Sequence, residues 1–184
     1  MASVFQGVTP RTAGFNTLQY VDMKYTTLFL TMFLMFVGAN SGSTGGGIKT
    51  NTFGIMLVSA WSLVRGQTEI HLFHRRIALE LVLRALTVTL LSGALVMSGF
   101  TLLLYFNTNP TLRFHQLLFE AISAFATVGL SMDTTPLLNA RQELVIIALM
   151  FFGRIGPLTF AVAFTQKRAA RLIKYPAERD VLVG

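Results

Sequence analysis

No cysteine occurs in the 184 residues, which excludes disulfides and cysteine-held metal centres. Charge is almost as scarce. Only 12% of the residues are charged, about half the roughly 25% of soluble domains. The opening MASVFQGVTPRT lacks the basic start and apolar run of a secretory signal peptide. His71 and His74 stand three apart, but no carboxylate or cysteine completes a metal-ligand set around them. They read better as part of a basic loop.

What the chain does have is apolar length. Hydrophobic residues make up 53%, with 16 Phe and 8 Met. Residues 85–106, ALTVTLLSGALVMSGFTLLLYF, carry no charge, and residues 144–164, LVIIALMFFGRIGPLTFAVAF, carry one. A bilayer core about 30 Å thick needs about 20 helical residues to cross it. The composition therefore reads as an all-α integral membrane protein with the lipid bilayer as its solvent. The net charge of +7 does not point to nucleic acid, because the basic residues cluster at 65–76 and 167–179, beside apolar spans. That placement follows the positive-inside pattern and assigns both segments to the cytoplasm. Trp61 and Tyr105 fall near opposite faces, as interface anchors do, and the methionines of TMFLMF read as packing and lipid contact.

With 65–76 inside, the span 85–106 runs outward, preceded by the i,i+4 pair Glu80 and Arg84. The span 144–164 runs back in. Between them, residues 114–131 (FHQLLFEAISAFATVGLS) are too apolar for a water-exposed loop. A helix over about 113–126 is too short to cross at 1.5 Å per residue, so a re-entrant segment is expected. His115 is expected near its outer mouth. Irregular backbone at membrane depth is tolerated where it lines a watery cavity. Thr127-Val128-Gly129-Leu130-Ser131 follows the helix, and its glycine permits backbone that turns carbonyls inward. With the negative end of a helix dipole at the same place, this composes a site for a dehydrated cation. A plain tight turn is the simpler account of this segment alone. A second copy weighs against it. Thr12-Ala13-Gly14-Phe15-Asn16 has the same order, and the offset of 115 also carries Phe36-Val37-Gly38-Ala39 onto Phe151-Phe152-Gly153-Arg154. Such internal repetition marks pseudo-symmetric membrane proteins.

GSTGGGIKT (42–50) resembles a phosphate-binding loop, but Ile48 separates Gly47 from Lys49, where G-x-x-x-x-G-K-[ST] requires direct succession. The uncharged run 25–39 before it is no short buried strand either. A nucleotide hydrolase is thus a remote alternative. Residues 25–64 hold twice the length one crossing needs. The glycines break them into two halves, with Gly38 and Gly54 expected at the margins.

TPRTAGFNT (9–17), GANSGSTGGGIKT (38–50), FATVGLS (125–131) and FFGRIGPLT (151–159) closely resemble the Trk/Ktr/HKT potassium-transporter superfamily, and best the bacterial Ktr pore subunits. The resemblance implies four membrane–pore–membrane repeats with re-entrant pore helices around one ion pathway. Only the third and fourth are represented, so a C-terminal piece of a longer protein is expected. Residues 1–76 would hold the end of the third pore helix, its filter and a broken helix, and residues 77–184 the fourth repeat with a basic tail. The implied filter carbonyls belong to Thr12, Ala13, Gly14 and Phe15, and to Thr127, Val128, Gly129 and Leu130. They would bind potassium, with sodium coupling left open. The implied gate is the intramembrane loop carrying Gly42, Ser43, Thr44, Gly45, Gly46 and Gly47. Ser43 and Thr44 would rebond freed carbonyls, and Lys49 would latch the loop or face the cytoplasm.

Arg154 lies mid-span, where a charge costs about 2.5–3.5 kcal/mol; it is expected to face the pathway or to pair with a carboxylate or filter carbonyls. Pro157 withdraws a donor from Gly153 and predicts a kink. Glu120 either pairs with Arg154 or faces the vestibule. The resemblance further implies a multi-pass plasma-membrane transporter rather than an enzyme. It would be a homodimer carrying a cytosolic nucleotide-binding regulatory ring. A non-conducting assembly subunit is the alternative.

Overall fold

The computed structural model describes residues 2–40, 42–43, 45–66, 71–72 and 75–156. Thr44, His74, Pro157, the remainder of the second apolar span and the basic tail lie outside the described residues. Six helices dominate: α1 (Ala2–Val8), α2 (Tyr25–Phe36), α3 (Thr50–Val64), α4 (Leu79–Tyr105), α5 (Phe114–Phe125) and α6 (Ala140–Ile155). A small antiparallel hairpin, β1 (His71–Leu72) with β2 (Arg75–Arg76), joins α3 to α4.

Among the described residues α4 alone is long and apolar enough to cross a membrane. Its 27 residues reach about 40 Å at 1.5 Å each. Only 28% of its apolar window is buried, whereas the core helix of a soluble protein would be mostly covered. Phe29, Leu63, Tyr105, Leu144 and Phe151 likewise turn large apolar side chains outward. An apolar exterior of this extent suits a lipid solvent.

The centre of the molecule is α5. Leu117, Phe119, Ala121 and Phe125 are fully buried, because α5 is covered on both sides. On one side Leu28, Met32 and Met35 of α2, with Tyr20, pack against Phe119 and the segment Ala126–Met132. On the other, Phe100 and Leu103 of α4 and Leu149 of α6 enclose Leu117, Ala121 and Ala124. At 12 residues α5 is about 18 Å long and falls short of a bilayer's apolar thickness.

The frame around α5 depends on close backbone approach and on satisfied helix ends. Gly99 of α4 lets Leu149 of α6 lie where a Cβ would sit, 2.7 Å from its δ-carbons. Gly153 of α6 abuts the carbonyl of Phe125, leaving no space for any side chain. Asn139 caps α6 by accepting from the Gln142 amide at 3.0 Å, and Gln142 Oε1 accepts the Asn139 amide at 3.1 Å. The same two side chains donate to the last carbonyls of α4, Asn139 Nδ2 to Phe106 O at 2.7 Å and Gln142 Nε2 to Leu103 O at 3.0 Å. Carbonyls that a helix end leaves open are thereby supplied by the next helix.

One sequence expectation is revised. Gly54 lies inside α3 rather than at a margin; the break spans residues 37–49, because α3 starts only after Lys49. Helix α6 carries the second apolar span through Arg154 and ends at Ile155, and Gly156 adopts φ 88°. A residue before proline is disfavoured in helical conformation, which accounts for the stop before Pro157.

Candidate functional site

The candidate site begins where α5 stops. Thr127 donates its amide to Ala124 O at 3.0 Å, and Val128 donates to Ser123 O at 3.0 Å. This is the Schellman pattern, whose closing residue is left-handed and usually glycine. Here it is Thr127, at φ 53°. A β-branched residue in that region is an outlier and costs of order 1–3 kcal/mol. Gly129 follows at φ 86°.

The first copy repeats these values. Thr12 has φ 68° and Gly14 φ 75°, so threonine and glycine are left-handed at the same offset of 115. Thr9, buried below α1, donates its hydroxyl to Phe15 O. The two segments touch. A Cβ on Gly14 would lie 2.6 Å from Val128 O, and one on Gly129 would lie 3.9 Å from Gly14 Cα. Two backbones meet here with room for glycine alone at position 14.

The glycine-rich loop closes against the foot of both segments. A Cβ on Gly45 would meet Thr12 Cγ2 at 2.8 Å, and one on Gly46 would meet Thr127 Oγ1 at 2.8 Å. Gly46 donates its amide to Thr127 Oγ1 at 2.9 Å. Gly47 takes φ 73° and passes under Phe36 O. Gly42, by contrast, faces open space. The loop's ends are tied: Val37 and Ile48 form a parallel bridge, Ile48 N donates to Phe36 O at 3.1 Å, and Thr50 Oγ1 donates to Gly38 O at 3.1 Å.

Lys49 curls back onto its own loop, its ammonium donating to Ser43 O at 3.0 Å and to Gly45 O. Both acceptors are carbonyls of the loop itself, in the place where a phosphate-binding loop would present its lysine to a ligand. Ser43 acts differently from expectation. Its hydroxyl accepts the Gly45 amide at 3.2 Å, while Thr50, which the sequence reading did not single out, rebonds the carbonyl of Gly38. Arg154 is exposed in the last turn of α6, beside Gly153, where a cation faces the negative end of the helix dipole.

Glu120 does not open onto a vestibule. It is 6% exposed, and the Ser131 hydroxyl donates to Oε1. Thr135 Oγ1 lies 3.4 and 3.5 Å from its two carboxylate oxygens. His115, in the first turn of α5, packs edge-on against Tyr25 at 5.1 Å. Partial burial, with Arg113 beside it, lowers its pKa. On α3, Trp61 is exposed and carries the Arg65 guanidinium 4.9 Å above its ring.

Comparison with known proteins gives the family of the chain. A family model described as "TrkH: Cation transport protein" matches residues 1–173. The chain is similar to the Ktr system potassium uptake protein B of Bacillus subtilis (strain 168), 44% identical over all of this chain and 40% of that protein. It is 42% identical to the potassium/sodium uptake protein NtpJ of Enterococcus hirae, over 98% of this chain and 40% of that one. The Ktr system potassium uptake protein B of Vibrio alginolyticus is 37% identical, over 100% and 39%. The chain thus spans about 40% of the length of these curated relatives.

Proposed function

Because the chain belongs to the TrkH family of cation transport proteins, a family of membrane transporters and not of enzymes, we propose that it supplies two of the four filter strands of a potassium pore. In this reading residues 1–76 are the end of the third repeat and residues 77–184 the fourth. Helix α5 is a re-entrant pore helix, α4 and α6 are its flanking spans, and the whole protein crosses the plasma membrane several times.

One observation carries the reading. Two segments 115 residues apart are left-handed at threonine and again at glycine, and they lie against each other at Gly14 and Val128. Alternating left- and right-handed residues turn successive carbonyls to one side. Carbonyls of Thr12, Ala13 and Gly14, and of Thr127, Val128, Gly129 and Leu130, would then replace the hydration shell of potassium. Phe15 O already accepts the Thr9 hydroxyl, so its share in ion binding is the smallest of the set.

Gly45 and Gly46 lie under the two strands, and the loop that carries Gly42 to Gly47 is proposed as the gate, held shut by Lys49 and by the Gly46–Thr127 hydrogen bond. Arg154 would add a fixed positive charge that limits passage. The names of the relatives, potassium uptake for two and potassium/sodium uptake for NtpJ, support potassium as the transported ion and leave room for sodium coupling. A homodimer with a cytosolic nucleotide-binding ring is part of the same proposal.

The test is rubidium uptake by the full-length protein containing this chain, expressed in cells that lack potassium uptake. Restored uptake and growth at low potassium are expected. No uptake, with the protein present in the membrane, would favour the non-conducting assembly role instead.

A further inference from the structure

Glu120 is a carboxylate in the most buried helix of the molecule. Its helix neighbours Phe119 and Ala121 are fully covered, and burying an ionised carboxylate without partners is costly. Its position is therefore informative, and so are the groups it faces. Among the described residues, the hydrogen-bonding side chains that reach it come from the stretch that leaves the second filter strand.

Ser131 donates its hydroxyl to Oε1, and Thr135 Oγ1 lies within 3.5 Å of both oxygens. These two hydroxyls are joined at 3.1 Å, and the Thr134 amide donates to Ser131 Oγ at 3.3 Å. Thr134 is itself fully buried. The strand Thr127–Leu130 is thus fixed at its start by the Schellman turn and at its exit by a carboxylate on the same pore helix. The first copy is braced without charge, through the Thr9 hydroxyl on Phe15 O. The exit of the first strand is held by Thr9, just past the end of α1, and that of the second by an acid on α5.

We infer that Glu120 is a positioning residue for the second filter strand, setting the spacing of its carbonyls through Ser131 and Thr135 and thereby the preference for potassium over sodium. This rests on the pore reading above. A carboxyl group offers two acceptor oxygens on one side chain, so it can hold Ser131 and Thr135 at once where a single hydroxyl holds one partner. A carbonyl cage discriminates between ions only as far as its geometry is held.

The experiment compares potassium and sodium uptake by the full-length protein carrying Glu120→Ala, Glu120→Gln, Ser131→Ala or Ser131→Thr, at matched membrane levels. Ser131→Ala should lower the potassium-to-sodium uptake ratio a few-fold to roughly tenfold, the scale of one net hydrogen bond, and Glu120→Ala, which loses both hydroxyl contacts, by more. Glu120→Gln, which keeps an acceptor oxygen, should lower it less, and Ser131→Thr, which keeps the hydroxyl, should restore it. A merely structural role would change the amount of protein and leave the ratio alone. If Glu120→Ala does not reach the membrane, Ser131→Ala and Glu120→Gln decide. Wild-type ratios in Glu120→Gln and Ser131→Ala, beside a wild-type protein that takes up potassium, would overturn the role of Glu120 and leave the pore reading intact. Failure of the wild type to take up potassium would overturn both.

Discussion

The amide of Gly46 donates to the hydroxyl of Thr127 at 2.9 Å, so the glycine-rich loop hangs from the residue just past the C-cap of α5. The two residues are 81 apart in the chain. Gly45 sits under Thr12 by contact alone, a Cβ there meeting Thr12 Cγ2 at 2.8 Å, so both left-handed threonines face the loop.

Gly46→Ala should therefore raise uptake. Its Cβ would fall 2.8 Å from Thr127 Oγ1 and 3.0 Å from the Ala126 carbonyl carbon, pushing the loop away from the strands. A shift of one or two kcal/mol changes a two-state ratio roughly five- to thirtyfold, and the maximal rubidium uptake rate should rise on that scale. Deleting Gly45–Gly47 should raise leak flux further. Wild-type rates in both would argue against a gate at this loop.

Filter glycines should respond in the opposite sense. Gly129→Val imposes a β-branched side chain at φ 86°, and Gly14→Ala places a methyl 2.6 Å from Val128 O. Loss of potassium uptake is expected, with the protein still present in the membrane. Gly42→Ala, which meets nothing within 4 Å, is the matched control and should transport normally. Retained transport by Gly129→Val would rule out that strand as the filter.

Lys49→Met removes the donor shared by Ser43 O and Gly45 O. Two loop carbonyls lose a charged partner, a contact worth about 1.5–3 kcal/mol, and basal uptake should rise. Lys49→Arg keeps donors within reach and should stay nearer the wild-type rate. Equal rates in all three proteins would reduce Lys49 to a surface cation.

Gly153→Ala tests the frame rather than the pathway. The added methyl would overlap the Phe125 carbonyl, a backbone group with no rotamer to give way. Overpacking of this kind costs about 1–3 kcal/mol, and the purified protein should melt at lower temperature. Gly93→Ala on α4 meets nothing within 4 Å and should melt as the wild type does.

Local chemistry was readable in the chain; distant partnerships were not. Helix α5 was expected over 113–126 and runs from Phe114 to Phe125, because apolar periodicity and the Thr-x-Gly that follows bound it from both sides. The loop was legible as a glycine cluster inside an uncharged run. That Thr12 and Thr127 would be left-handed was not, since β-branched residues seldom take that conformation. Glu120 was placed on its helix but not paired, because Ser131 and Thr135 return to it only after the chain has made the filter turn. Thr50 escaped notice for the same reason: its acceptor, Gly38, stands 12 residues back across the loop.

The bridge between Val37 and Ile48 gives the loop a pinned neck. The entropy of bringing the two ends together is spent there, in the backbone pairing, and it grows only slowly with the length of chain between them. In the gate reading, a lobe pinned at this neck would swing without any tilt of α2 or α3. Residues added at or removed from its exposed tip at Gly42 would alter how far the lobe reaches while leaving the helices that carry it where they are.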